Sequence, residues 1–424
     1  MRRPAGIARF LSQRPRLFEY MRGFLWTGLA QFFSAVSNFV ISLAVARGGG
    51  AEALGLFTIA FSVYLLILSL QRALIHEPLL TIKPDQGLGE FRLALSSAIA
   101  YLVPAALIVS LAGWVLGRSE IVILGVVLPF VCLQDSYRYG VFWKRQPRLA
   151  ALIDGSWVVV SLAAWPWLTS SGSAASGLIA WGLGGLAGLL IGASFYRVLP
   201  RRPSDGLKWW LREARSLGGY LAIDRMGSSV FLQINRLALA AILGAGDLGI
   251  LRAAQMVLGP AGLAMTAFEV FALSRLSGVA KNTPRRAASA ISGLAGLSMV
   301  VVNGTLLLLS PVLVPLMYGP ALDVPLIILL GVGARMIVHA FSTGPLLLLK
   351  ATRAGGFIVV ARLATGPVGT AAIVIGAAAW GLAGAVWAGL VPATVHVVVL
   401  WVTWRRQTDS QTQAKQKSSE FVSR

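Results

Sequence analysis

The chain has 424 residues, 56% of them hydrophobic and only 12% charged, with a mean hydropathy of +0.75; a water-soluble core of that composition would lack the polar surface to cover it, so lipid is the expected solvent. The net charge of +21, from 37 Lys and Arg against 16 Asp and Glu, could by itself suit nucleic acid, but the cations sit in connectors between apolar blocks, which points to a membrane and excludes a nucleic-acid partner. A single cysteine, Cys132, excludes internal disulfides and cysteine-based metal sites.

Residues 1–23 form a basic segment that mixes arginine with Phe, Leu and Tyr. They lack the apolar stretch and small-residue cleavage site of a signal peptide, and read as a positive-inside anchor resting on anionic headgroups. About twelve apolar blocks follow, near 24–46, 54–75, 93–116, 120–142, 150–170, 175–198, 217–243, 250–274, 288–316, 323–347, 356–378 and 380–403. Each is long enough to cross the roughly 30 Å hydrocarbon layer as a helix. Unbroken apolar runs exclude the alternating pattern of a membrane barrel, so the expected fold is an all-α polytopic membrane protein. Arg138, Lys144, Arg145 and Arg148 follow the fourth block, and Arg197, Arg201, Arg202, Lys208, Arg212 and Arg215 follow the sixth, while the opposite side carries Arg47 and Arg118. That asymmetry predicts both termini in the cytoplasm.

Residues 31–57 align without a gap on residues 225–251, matching at Ser34/Ser228, Gly50/Gly244, Ala51/Ala245, Leu54/Leu248 and Gly55/Gly249 among others. The copies lie six spans apart. An even number returns the chain to the same side, so the repeat is parallel, about an axis along the membrane normal. Two six-helix lobes are expected, 24–198 and 217–404. A cytoplasmic connector, 199–216, is the candidate hinge between them, and 405–424 reads as a disordered cytoplasmic tail.

An arginine at mid-span costs about 2.5–3.5 kcal/mol on insertion scales, so one that persists should face protein or a wet cavity. Arg72, Arg225, Arg236, Arg252, Arg335 and Arg362 fall within blocks. Arg225 and Arg236, about three helical turns apart, share nearly one face with Ser228, and the first block offers Gln31 and Ser34 at comparable places. Guanidinium groups outnumber carboxylates in the spans, which favours an anionic ligand. The substrate-binding candidates are therefore Arg225, Arg236, Arg335, Gln31, Ser34 and Ser228. Asp224, Glu269 and His339, four residues after Arg335, are candidates for ion coupling. The alternative for any one of them is a pairing that only locks helices together. No GxxxxGK[ST], HExxH or GxSxG is present, and the expectation is a non-enzyme with no catalytic residues, cofactor or metal.

The turn GAEALGLFTIAFSV at 50–63, its partner GAGDLGILRAAQMV at 244–257, and the segment QDSYRYGVFWKRQPRLAALID at 134–154 resemble the Wzx-type polysaccharide-flippase branch of the multidrug/oligosaccharidyl-lipid/polysaccharide (MOP) exporter superfamily, over most of residues 20–405. The resemblance implies a V-shaped pair of lobes, alternating access, and movement of an undecaprenyl-pyrophosphate-linked glycan across the cytoplasmic (inner) membrane. Arg225, Arg236 and Arg335 would hold the pyrophosphate. Membrane lipids, a glycan polymerase and glycosyltransferases would be its partners. The alternative is a proton- or sodium-coupled multidrug exporter. Such members often carry an acid in the first or seventh span; the first span here has Gln31, Ser34 and Asn38 instead, and Asp224 keeps that alternative open.

Overall fold

The computed structural model describes residues 5–83, 88–225, 229–279, 284–351 and 355–422, and among them there are helices and no strand. In chain order the helices are α1 (Ala5–Gln71), α2 (Glu77–Thr81), α3 (Gly89–Val115), α4 (Ser119–Trp143), α5 (Pro147–Ala163), α6 (Trp165–Ser171), α7 (Ala174–Tyr196), α8 (Pro203–Trp209) and α9 (Arg215–Arg225). They continue as α10 (Phe231–Leu243), α11 (Ala245–Val257), α12 (Gly259–Val279), α13 (Pro284–Tyr318), α14 (Leu326–Ala340), α15 (Thr343–Ala351), α16 (Gly355–Ala388) and α17 (Leu390–Val422). The chain divides into two compact units, residues 1–49 with 63–222, and residues 50–62 with 223–424.

Among the described residues six helices are long and apolar enough to cross a bilayer, or nine if each of three bent pairs is one span. Two of the long stretches hold a glycine with positive φ, Gly50 in Leu25–Thr81 and Gly381 in Ile358–Gln407, which runs from α16 into α17, and each is long enough for two spans. With the shorter apolar α10, the architecture is the expected polytopic bundle of about twelve.

The turn inside α1 follows from its neighbours. At 1.5 Å per residue its 67 residues would reach about 100 Å, three times the hydrocarbon thickness. Ala30 packs in a cluster that includes Ile191 and Tyr196, near the end of α7, whereas a Cβ on Gly48 would press on Gly172, just before α7 begins. Beyond Gly50 the direction reverses, because Tyr64 stands edge-on to Trp181 of α7 and Gln71 reaches the Cys132 carbonyl. Gly50 has φ 67°, and its repeat partner Gly244, between α10 and α11, has φ 87°. Both turns therefore use a conformation that glycine adopts without the Cβ penalty. The two turn segments also meet reciprocally: a Cβ on Gly55 would overlap the Ala245 carbonyl, and one on Gly249 would overlap that of Ala51. Small residues are what allow such backbone approach in lipid.

The first unit is packed on a glycine stripe. Cβ atoms at Gly182, Gly185, Gly188 and Gly192 of α7 would collide with Val127, Val131, Gln134 and Tyr137 of α4, so the two helices lie close along three turns.

Two segments differ from the sequence expectation. Residues 199–216, expected as a connector, fold largely into α8 and a π-helical turn, with Gly206 of α8 against the Ser96 and Ser97 backbone of α3. Trp209 is buried and donates its indole N–H to Glu90 at 2.6 Å, and Trp210 donates to the Leu74 carbonyl at 2.9 Å. The polar tail, expected to be disordered, continues α17 to Val422. Once a helix exists, each further Gln, Ala, Lys or Glu adds little cost, because nucleation is already behind it.

Candidate functional site

In the second unit α10, α12, α13, α14, α16 and α17 enclose a cavity of about 520 Å³. Its walls are mainly apolar, with Phe231, Met265 and Met299 among them, and its polar groups are few: Asn235, Arg335, His339, Thr365 and His396. Arg335 and His339 are four residues apart on α14, hence on one face. The His339 ring stacks on that of His396 from α17, with centroids 5.2 Å apart and planes inclined by 21°. Gly389, where α16 gives way to α17, leaves room for Arg335, since a Cβ there would come within 3.3 Å of the arginine Cδ. Asn235 is held by Thr370, whose hydroxyl donates to its Oδ1 at 2.6 Å.

Arg335 is not isolated from other cations. It also borders a small void of about 30 Å³ lined by Leu239, Leu251 and Val386, and Arg236 of α10 lies within electrostatic reach of both Arg335 and Arg252 of α11. Arg236 donates to Gln233 Oε1 at 3.1 Å. Arg362 acts electrostatically on His339 and His396. Among the described residues no carboxylate lies within 4 Å of Arg236, Arg252 or Arg335, and none lines the cavity. Desolvated guanidinium groups without a counter-ion are costly, and their planar forks match phosphate or carboxylate oxygens.

The first unit handles its charge differently. Arg72 grips Asp135 with two hydrogen bonds, Nε to Oδ2 at 2.8 Å and Nη2 to Oδ1 at 2.7 Å. Arg138 lies 3.5 Å from Asp135 and 2.9 Å from Asp154, and Gln134 donates to Asp154 at 3.2 Å. His76 adds Nδ1 at 3.5 Å from Asp135 and shares a hydrogen bond with Ser136 at 2.9 Å. Two carboxylates face two guanidinium groups, so this buried cluster is balanced and ties the π-helical turn Arg72–His76, which follows α1, to α4 and α5.

The predicted residues are therefore distributed unevenly. Arg335 and His339 line the cavity; Arg236 does not, although it follows the lining residue Asn235 and is within electrostatic reach of Arg335. Arg225 is half-buried at the end of α9 and does not line it. Ser228 lies outside the described residues, as does the Asp224 side chain. Glu269 pairs with Lys350 at 3.9 Å rather than lining the cavity. Gln31 is exposed and Ser34 half-buried, both on α1 in the first unit, where the Ser34 carbonyl accepts from Ser37 at 3.0 Å and Asn38 at 2.8 Å. His396 was not among the candidates. A histidine in an otherwise uncharged apolar block, one of three in the chain, is the signal that could have found it.

No family profile matches the chain, and no curated protein does. Solved structures do. An inward-facing multidrug resistance MATE family transporter of the MOP superfamily superposes with a TM-score of 0.68 at 12% identity, over 90% of this chain and 96% of that one. The lipid II flippase MurJ in an inward closed conformation gives 0.69 at 14% identity, over 90% and 87%. A MOP superfamily transporter from Pyrococcus furiosus, described by a reverse polarity of its binding pocket, gives 0.57 at 13% identity, over 92% and 96%. Identities this low establish the fold alone. The chain is a multi-pass helical membrane protein with the fold of MOP-superfamily transporters.

Proposed function

We propose that the protein moves an anionic, diphosphate-linked lipid saccharide across the cytoplasmic membrane by alternating access, with Arg335 and Arg236 receiving the diphosphate and the lipid chain remaining in the bilayer. The observation that carries this reading is the uncompensated positive cluster at the cavity, in a molecule whose other buried cluster is balanced by acids. One of its structural neighbours is a lipid II flippase, and a flippase cargo of that chemistry would need cationic groups such as these. A cation-coupled drug exporter would call for a carboxylate in the cavity. His339, stacked on His396, is instead the place where a proton would be exchanged during transport.

The test is translocation of a fluorescent polyprenyl-diphosphate saccharide by the protein reconstituted in liposomes. Arg335→Ala should slow it by about tenfold or more, the scale of one lost charge-assisted contact. Arg335→Lys, which keeps the charge but not the fork, should fall between the two. Translocation by Arg335→Ala at the wild-type rate rejects the assignment.

A further inference from the structure

A second cavity, of about 420 Å³, opens on the basic end of the first unit. It is lined by Trp26 of α1, by Arg145, Gln146 and Arg148 where α4 passes into α5, and by Leu152 and Phe195. The Arg148 guanidinium stands 5.7 Å from the Trp26 ring, and Tyr196 donates to Gln146 Oε1 at 3.3 Å. Both arginines are exposed, and among the residues whose side chains are described neither has a carboxylate within 4 Å. Arg145 has φ 57°, a left-handed conformation in which a helix-ending turn usually places glycine. The turn is held by Arg145 N–H to the Phe142 carbonyl and Gln146 N–H to that of Val141, each 3.0 Å. A guanidinium is thus kept where the backbone favours having no side chain, which calls for a use of that group. The first-turn N–H groups of α5 add partial positive charge on the same side.

The remaining walls are apolar and open. Leu152 is 62% exposed and Phe195 61%, on α5 and α7, which belong to apolar stretches long enough to cross a membrane. The site thus pairs a cationic head with a greasy flank beside an interfacial tryptophan. A soluble phosphate would use the first and leave the second bare; a phospholipid uses both.

We infer that this cavity binds an anionic phospholipid, its phosphate between Arg145 and Arg148 and an acyl chain along Leu152 and Phe195. The site is separate from the transport cavity and stands whether or not the cargo assignment holds.

Native mass spectrometry of the full-length protein in detergent tests it, with phosphatidylglycerol and phosphatidylcholine of identical chains as probes. Phosphatidylglycerol should be retained in preference. Arg145→Gly removes the guanidinium while relieving the backbone, so it should cut retention by about tenfold without lowering the melting temperature; Arg148→Gln should cut it similarly. Unchanged retention in both variants, or equal retention of phosphatidylcholine, overturns the proposal. Displacement by an equal concentration of glycerol 3-phosphate also overturns it, because the ligand would then be a soluble phosphate.

Discussion

Arg72 and Arg335 are both arginines inside spans, yet their surroundings assign them opposite roles. Arg72 is locked to Asp135 in a bidentate pair, and removing one partner of such a buried pair leaves a stranded charge worth about 3–5 kcal/mol. Asp135→Asn should accordingly lower the thermal unfolding midpoint in detergent by many degrees. Arg335 has no such partner, so truncating it removes an uncompensated charge from a mostly apolar cavity. Arg335→Ala should melt at or above the wild-type temperature while transport fails; a marked loss of stability would make Arg335 a structural residue instead. The arginines themselves were legible from their place in apolar blocks. Their partners were not, because Arg72 and Asp135 are 63 residues apart in sequence. His396 escaped for a similar reason: only the tertiary fold sets it against His339.

At the scale of elements, glycine placement decides where the chain turns and where helices touch. Gly50 and Gly244 hold equivalent positive-φ turns, and Gly55 and Gly249 take the partner backbone against their Cα atoms. Gly55→Leu would force those segments apart, at a cost above the usual 1–3 kcal/mol of overpacking because the clash is with backbone rather than a flexible side chain. Gly246→Leu, in the partner turn but with open space around it, is the control. The expected outcome is loss of the folded, monodisperse protein in size-exclusion chromatography for the first and retention for the second. This much the repeat foretold, since a turn with matching glycines in two copies reports a backbone requirement. The docking of residues 199–216 was hidden, because its polar composition resembles a linker and only Trp209 and Trp210 hinted at burial. The helical tail was hidden too: composition alone does not show that α17 arrives there already formed.

At the scale of the molecule, composition and block length were enough to specify an all-α membrane protein with about twelve spans, and the shift between repeats pointed to two halves. The physical reason is that lipid leaves the backbone one choice per span, so hydropathy carries the topology directly. The cavity was legible only in part. Its walls come from six helices spread over residues 231–396, and periodicity within one helix cannot say which faces converge. Arg335 and His339, sharing one helix face, could be paired in advance; Asn235 and His396 could not. What unites the fold and the site is a contrast in charge: the first unit's buried cluster is matched, whereas among the described residues Arg236, Arg252 and Arg335 of the second unit have no carboxylate within 4 Å.

Equilibrium binding of a short-chain polyprenyl-diphosphate saccharide to the purified protein measures that contrast most directly, with the dephosphorylated lipid saccharide as reference. The predicted result is preferential binding of the diphosphate, weakened about tenfold or more by Arg335→Ala and further by adding Arg236→Ala. Equal affinity for the two ligands, or diphosphate binding untouched by both substitutions, would contradict it.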